Sequence, residues 1–211
     1  LDSARREDVL SHIARIAQSE QIPIVYVTHS LDEVLRLADR LVIIEDGKVS
    51  ADGSVGSVLN SRAKSGHLPP DERATVVEGL IEAAGGKGGL SIVDTPIGLV
   101  QIAGLSAPPR ARVRLRLRAA DISLALREPQ DVSINNILPG HVVEISQDGP
   151  AAALVMLDCG APLMARVTQN SVQRLGLAPG VRLYAMIKAV AVERVSIGGL
   201  LDSRPLGWPG D

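Results

Sequence analysis

The spacing of apolar residues at the start of the chain predicts a helix followed by a strand. Apolar residues recur near helical spacing between charged ones over 3–19, which indicates an amphipathic helix that begins at Asp2 or Ser3. The continuous apolar run over 22–28 is rich in residues that favour strands. A run of this kind is typical of a strand buried in a parallel sheet.

The next elements are predicted by their boundary residues. Ser30 and Glu33 form a capping box, which predicts a second helix to about Ala38. Two short apolar runs then flank Asp46-Gly47, a pair that favours a tight hairpin turn. A short helix over 54–59 completes this part of the chain.

The pattern changes after a polar segment over 61–74 that contains Pro69-Pro70 and is predicted to be a linker. Beyond it the apolar period becomes two, and short segments are separated by glycine and proline turns, as in small β-barrels. The clearest alternation covers 112–118, where every second residue is an arginine. We expect a half-buried strand whose basic face is solvated, with a subunit contact or an anion-attracting rim as alternatives. Further strands are expected near 76–83, 90–102, 139–147, 151–157, 162–167 and 182–197.

Composition narrows the class of protein. An apolar fraction of 45% with 22% charged residues is ordinary for a globular protein. Nucleic acid is a poor candidate partner, because the net charge is −2 and no basic cluster or aromatic stacking surface is present. The single cysteine, Cys159, is compatible with a reducing compartment. No apolar run approaches the roughly 20 residues that span a bilayer, so we expect membrane association only through a partner.

The first region carries a motif around His29. The segment 22–49 resembles the end of an ABC-type ATPase domain, in which a buried strand delivers one histidine just before a capped helix. The resemblance implies that His29 is the switch histidine, which contacts the γ-phosphate of ATP and helps to position water. It also implies that Leu1-Asp2 is the end of the D-loop at the dimer interface. The alternative is a structural histidine at a strand end.

Several ATPase motifs are not found. The glycine cluster at 85–89 contains Lys87 but lacks the spacing and the following Ser or Thr of a phosphate-binding loop. The resemblance implies that this loop, the signature loop and the metal-binding carboxylates lie upstream of Leu1, so we expect a fragment. We therefore expect that the chain alone neither binds ATP and Mg²⁺ tightly nor hydrolyses ATP.

The second region carries an ordered set of short motifs over 133–140, 165–171, 175–180 and 187–189. Together they resemble the molybdopterin-binding-like (Mop) domain, a small barrel that binds molybdate. The resemblance implies an oxyanion site built from side chains and one backbone group, with no direct bond from protein to metal. The implied site residues are Ser133, Thr168, Ser171, Lys188 and the backbone at Ala189.

The residue types support that interpretation independently. Thr168 and Ser171 stand at the N-cap and N3 positions of a predicted helix that stops at Gly176, a position that favours anions. Lys188 adds a positive charge and Ser133 a hydroxyl. The alternative is that Thr168 and Ser171 only cap a helix while Lys188 points to water. Asn135 stands where the motif often has arginine, which lowers the expected positive charge.

The pattern and the resemblances together predict an α+β protein. Residues 1–60 are expected to be a partial α/β ATPase region, 61–74 a linker, 75–197 an all-β, OB-like barrel of Mop or TOBE type, and 198–211 a tail. The resemblance implies the ATP-binding subunit of a molybdate or tungstate importer, cytoplasmic and held at the inner face of the plasma membrane by a permease subunit, and paired with a second copy of itself. The alternatives are a stand-alone molybdate store or sensor, or an importer of sulfate, sugars or polyamines.

Overall fold

The computed structural model describes residues 3–20, 22–105 and 107–198. Mixed helices and strands up to residue 64 form what we call the N-terminal region, and strands from residue 74 onward form the β region. The elements of the N-terminal region are α1 (Ser3–Glu20), α2 (Leu31–Leu37), β1 (Arg40–Glu45), β2 (Lys48–Ser54) and α3 (Val55–Lys64). Within the described ranges, none of the helices combines the length and apolar character needed to cross a bilayer.

Boundary residues form the local structure that the sequence predicts in the N-terminal region. Ser30 caps α2 by accepting a hydrogen bond from the Glu33 amide at 3.4 Å. Asp46 and Gly47 both adopt positive φ angles, 50° and 73°, which suits the turn of the β1–β2 hairpin. The helix predicted over 54–59 is also present, but it continues to Lys64 and so includes the first residues of the predicted linker.

The strand predicted over 22–28 is wrong. This segment forms no regular element, and its side chains are largely exposed, with Val25 at 93% and Val27 at 92%. A parallel strand is stable only when neighbouring strands satisfy its backbone groups and cover both of its faces. Within the described residues no strand pairs with this segment.

The β region begins with a five-stranded antiparallel sheet, which we call the first sheet. Its strand order is β12-β6-β3-β4-β5, so the last strand within the described residues returns to its edge. The strands are β3 (Ala74–Ala83), β4 (Leu90–Thr95), β5 (Gly98–Ala103), β6 (Arg112–Arg118) and β12 (Glu193–Gly198).

The second sheet is also five-stranded and antiparallel, with strand order β10-β9-β8-β11-β7. A short helix, α4 (Gln169–Leu175), follows β10. The strands are β7 (Ile122–Ala125), β8 (Asn136–Gln147), β9 (Ala152–Asp158), β10 (Pro162–Thr168) and β11 (Arg182–Ile187). The expected α+β composition is thus confirmed, with the β residues divided between two sheets.

One hydrophobic core joins the two sheets, because aliphatic side chains of both face each other. It includes Val93 and Leu115 of the first sheet and Val155 and Leu163 of the second, none of which exceeds 1% exposure. In this aromatic-poor chain, aliphatic packing fills the interior. Gly140 of β8 permits one close approach, since a Cβ there would lie 2.6 Å from Cys159 Sγ.

The N-terminal region packs on the first sheet through a smaller cluster that includes Leu35 of α2, Leu59 of α3 and Val76 of β3. This contact corrects the expectation of a solvated basic face on β6. Arg114 and Arg116 are each only 6% exposed, because α2 lies over them. Only Arg112 and Arg118, at the two ends of the strand, are exposed.

Candidate functional site

His29 lies at the end of the extended segment, immediately before the Ser30 cap of α2. Its side chain is exposed and borders a cavity of about 250 Å³ between α1 and the start of α2. Leu10 of α1 and Glu33 of α2 also line this cavity. Asp2, the other residue implied by resemblance to ATPases, lies outside the described residues.

Glu33 orders the chain around His29. Its carboxylate is buried and accepts hydrogen bonds from the hydroxyls of Tyr26, at 3.2 Å, and Thr28. The Thr28 hydroxyl oxygen in turn accepts a 3.0 Å hydrogen bond from the Ser30 amide. These bonds attach the segment that precedes His29 to α2. The sequence showed Glu33 as part of a capping box, but not this role.

The five residues of the expected oxyanion site fall into two groups. Thr168 and Ser171 stand where β10 passes into α4, which we call the Thr168 end of the second sheet. Ser133, Lys188 and Ala189 form the other group, which we call the Lys188 end. Strand register shows how far apart the two groups are.

Strand β8 runs from one group to the other. Ile187, just before Lys188, pairs with Asn136 at the beginning of β8. Thr168 pairs with Ala152 of β9, whose carbonyl accepts a 2.9 Å hydrogen bond from Asp148, the residue after β8. The 12 residues of β8 correspond to about 36 Å of strand between its first and last Cα atoms, at roughly 3.3 Å per residue. One chain therefore does not bring the two groups together.

At the Thr168 end, the predicted N-cap is present. The Thr168 hydroxyl oxygen accepts a 3.0 Å hydrogen bond from the Ser171 amide, and the two hydroxyl oxygens lie 2.9 Å apart. The Gln169 amide donates to the Ala151 carbonyl at 2.9 Å. Two of the first three amides of α4 are thus already used, and one hydroxyl donates to the other, so this end offers fewer free donors than the sequence suggested.

An ion cluster around the buried carboxylate of Asp148 includes Arg166, which lies on the same strand as Thr168. Asp148, whose side chain is 3% exposed, pairs with Arg73 and with Arg166, the latter at 2.6 Å. Arg166 is two residues before Thr168 and therefore on the same face of β10. Two guanidinium groups around one carboxylate leave an excess of one positive charge, which favours an anion at this end of the sheet.

At the Lys188 end, an ammonium group and a hydroxyl are open to solvent. Lys188 and Ser133 are exposed, and Lys188 forms no ion pair with any residue in the described ranges. Ala189, by contrast, is 2% exposed and begins a 3₁₀ turn that the Ala191 amide closes onto the Lys188 carbonyl at 2.9 Å. The Lys188 ammonium is therefore carried by a fixed backbone turn and is available to an external anion.

Asn136 holds the Lys188 end in place. Its amide group is buried and exchanges two hydrogen bonds with the Gln101 backbone of β5, at 2.6 and 2.9 Å. It also donates to the Ile187 carbonyl at 3.1 Å. One side chain thus joins both sheets to the residue before Lys188. The segment from Ser133 to Asn136 belonged to the resemblance, but this positioning role was not predicted.

Comparisons with known proteins show what this part of the chain is similar to. A profile of the TOBE domain family matches residues 132–193, which contain both ends of the second sheet. Among solved structures, the chain resembles the cytoplasmic molybdate-binding protein ModG, crystallised with molybdate bound. The TM-score is 0.50 and the identity 25%, over 57% of this chain and 94% of that protein.

The chain is also similar to curated proteins over nearly its whole length. It is 38% identical over 200 residues to the molybdenum import ATP-binding protein ModC of Rhodospirillum rubrum, covering 92% of this chain and 54% of that protein. For the protein of the same name in Pseudomonas aeruginosa the identity is 40%, covering 91% and 54%. The chain therefore spans about half the length of these relatives. It is similar to the ATP-binding proteins of molybdenum import, and its residues 132–193 match the TOBE domain family.

Proposed function

We propose that this chain is part of the ATP-binding subunit of a molybdate or tungstate importer, and that its second sheet binds the transported oxyanion as a regulatory ligand. The observation that carries the proposal is the similarity of this chain to two kinds of protein. One kind is named for molybdenum import, and the other was crystallised with molybdate bound.

The available groups have the chemistry that such a ligand requires. Molybdate is a tetrahedral dianion without a proton, so it accepts hydrogen bonds and donates none. Hydroxyls at Ser133, Thr168 and Ser171 and the ammonium of Lys188 are donors for such an anion.

The complete site is formed between two copies of the chain. Because the Thr168 and Lys188 ends lie at opposite ends of β8, donors from both reach one small anion only if a second copy supplies one of them. A twofold arrangement would bring each Lys188 end to the partner's Thr168 end and so form two equivalent sites.

The N-terminal region would couple molybdate binding to ATP hydrolysis. By resemblance, His29 acts at the γ-phosphate of ATP bound by the longer protein together with Mg²⁺, and a permease subunit holds the assembly at the inner face of the membrane. Bound molybdate favours the arrangement of β regions that keeps the ATPase halves apart, and so inhibits import when the anion is plentiful. It does so only if it binds that arrangement more tightly than the other.

Calorimetry on mixed variants tests the shared site. Lys188→Ala lacks the ammonium, and the double variant Thr168→Ala with Ser171→Ala lacks both hydroxyls of the other end, so each protein alone is expected to give no molybdate heat. In an equal mixture that exchanges copies, half of the dimers are mixed, and each mixed dimer holds one intact site. The mixture is then expected to recover about a quarter of the wild-type binding capacity.

Two outcomes would overturn the proposal. Wild-type chain that is folded but gives no heat with molybdate would remove the oxyanion function. Wild-type binding without recovery in the mixture would remove the shared site. Ser123→Ala, at an exposed position of the edge strand β7, is the matched control and is expected to bind like wild type. If sulfate displaces molybdate equally well, the chain would instead be assigned to an importer of another cargo.

A molybdate store or sensor is the second candidate. It is favoured by the match to ModG, which covers 94% of that protein. The similarity to import proteins extends through the N-terminal region, which a store does not require, and this favours the importer. Molybdate-dependent inhibition of ATP hydrolysis by the longer protein supports the importer, whereas binding without an effect on hydrolysis supports the store.

A further inference from the structure

Two buried arginines of the first sheet carry an inference about His29. Arg114 and Arg116 belong to β6, the second strand of the first sheet, and each is 6% exposed. Burial of a guanidinium group is costly unless its donors are satisfied. Their hydrogen bonds therefore show which groups compensate for the burial.

Arg114 holds the C-terminal end of α2. One of its terminal nitrogens, Nη1, donates to the carbonyls of Leu35, at 3.0 Å, and Ala38, at 2.8 Å. Its Nε and Nη2 donate to Glu78 of the adjacent strand β3, at 3.1 and 2.9 Å. The positive charge thus satisfies the last carbonyls of the helix, where a cation is favourable.

Arg116 holds the other end of the same helix. Its Nη1 donates to Asp32, in the first turn of α2, at 3.2 Å, and lies 3.7 Å from Glu193 of β12. Its Nε is buried without a hydrogen-bond partner. Because α2 has only seven residues, two arginines of one strand hold both of its ends.

The helix held in this way begins two residues after His29. Ser30 caps it, and Glu33 attaches Tyr26 and Thr28 to it, so the residues on both sides of His29 are bonded to α2. A continuous set of hydrogen bonds therefore runs from β6 through α2 to the backbone that carries His29. A displacement of the first sheet would move that backbone.

We propose that Arg114 and Arg116 are positioning residues that fix His29 relative to the β region, and that through them the oxyanion-binding region acts on the switch histidine. The second part rests on the proposed function, whereas the first part is a property of this chain alone. Neither arginine needs to touch nucleotide or molybdate.

Histidine ring NMR signals provide a direct test on the full chain. The chain has four histidines, and His29 can be followed against His67 and His141, which lie outside α1 and α2, as internal references. Arg114→Met and Arg116→Met keep most of the side-chain volume but remove the donors. We expect both to shift the His29 signal and to accelerate amide exchange in α2 at least about tenfold, while the His67 and His141 signals stay in place.

Arg112→Met is the matched control, because Arg112 lies on the same strand and is exposed. Its spectrum is expected to equal that of wild type. If Arg114→Met and Arg116→Met also leave His29 and α2 exchange at the wild-type values, the positioning role is overturned. Should Arg114→Met fail to fold, Glu78→Gln is used. It weakens the Arg114 hydrogen bonds at an exposed carboxylate, and the same two readouts apply.

Adding molybdate separates the two proposals. In wild-type chain that binds molybdate by calorimetry, we expect saturation to shift the His29 signal, and we expect Arg114→Met to bind molybdate but lose that shift. Calorimetric binding without a His29 shift in wild type overturns the transmission to His29 and leaves the proposed function intact. Absence of binding overturns the proposed function, while the ligand-free spectra still decide the positioning role.

Discussion

The N-terminal region and the β region of this chain differ in how their structure is supported. The β region has two complete sheets that cover each other's apolar faces, with side chains such as Leu163 and Val155 fully buried. The N-terminal region contains helices and a hairpin, yet its most apolar segment, 22–28, lies open to solvent. Neighbouring residues are therefore sufficient to form caps and turns. A buried strand also requires neighbouring strands, which come from distant parts of the sequence.

Amide hydrogen exchange should show the largest difference between the two regions. Amides of 22–28 have no strand partner in the described chain, whereas those of β9 lie between β8 and β10 in the second sheet. We expect exchange in β9 to be slower by on the order of a thousandfold or more, measured by mass spectrometry at neutral pH. Equal protection of the two segments would contradict the comparison.

Truncation of apolar side chains should give the next largest difference. Leu157→Ala removes a side chain that is 1% exposed in the shared core, and we expect a loss of about 2–5 kcal/mol in the free energy of unfolding. Val25→Ala changes a residue that is 93% exposed and should stay within about 0.5 kcal/mol of wild type. Urea unfolding followed by circular dichroism measures both. A large loss from Val25→Ala would show that the segment is buried in solution.

Thiol reactivity sharpens the comparison further. Burial, with a smaller contribution from Asp158, raises the pKa of the Cys159 thiol from 9.0 to about 11. At pH 8 its thiolate fraction is then about 100-fold below that of an exposed thiol. We expect Val25→Cys, in a Cys159→Ser background, to react with iodoacetamide about 100-fold faster than Cys159 in the wild-type chain. Similar rates would argue that Cys159 is solvated.

The same pKa shift has a consequence for stability. Because the unfolded thiol ionises near pH 9 and the folded thiol near 11, the unfolded state releases its proton first as pH rises. The contribution of the neutral thiol to stability is therefore present below pH 9 and is lost between pH 9 and about 11. Cys159→Ser should lack this additional loss in the same pH range.

Helix caps should show the smallest difference, because they depend on neighbouring residues only. Ser30 caps α2 in one region and Thr168 caps α4 in the other, each accepting from the amide three residues later. We expect Ser30→Ala and Thr168→Ala to destabilise their own helices by a similar amount, about 1 kcal/mol, measured by amide exchange in those helices. A several-fold larger cost at one site would show that its cap also supports tertiary contacts.

The same distinction explains how much of the fold the sequence predicts. The Asp46-Gly47 turn and the Ser30 cap involve neighbouring residues, and both are present. The strand over 22–28 and the solvated face of β6 were wrong, because each depends on what lies opposite. Arg114 bonds to the Leu35 carbonyl, 79 positions away, and alternation along a strand carries no information about such a contact.

The candidate site likewise has features that nearby residues predict and features that depend on distant residues. All of its residues were predicted from resemblance, and for Thr168 and Ser171 the sequence also predicted a local helix cap, which is present. Their separation along β8 appears only from strand register, which no single segment encodes. Asp148 stands before Gly149-Pro150 and has the sequence of a turn residue, so its pairing with Arg73 and Arg166 could not be predicted.

The return of β12 to the first sheet affects the order in which the protein can be completed during synthesis. Residues 193–198 close the edge beside β6, but they leave the ribosome only after the whole second sheet. Until then β6 keeps one row of backbone groups unpaired, and Arg116 lacks Glu193. A nascent chain that stalls before residue 193 would therefore expose an edge that favours association with other strands.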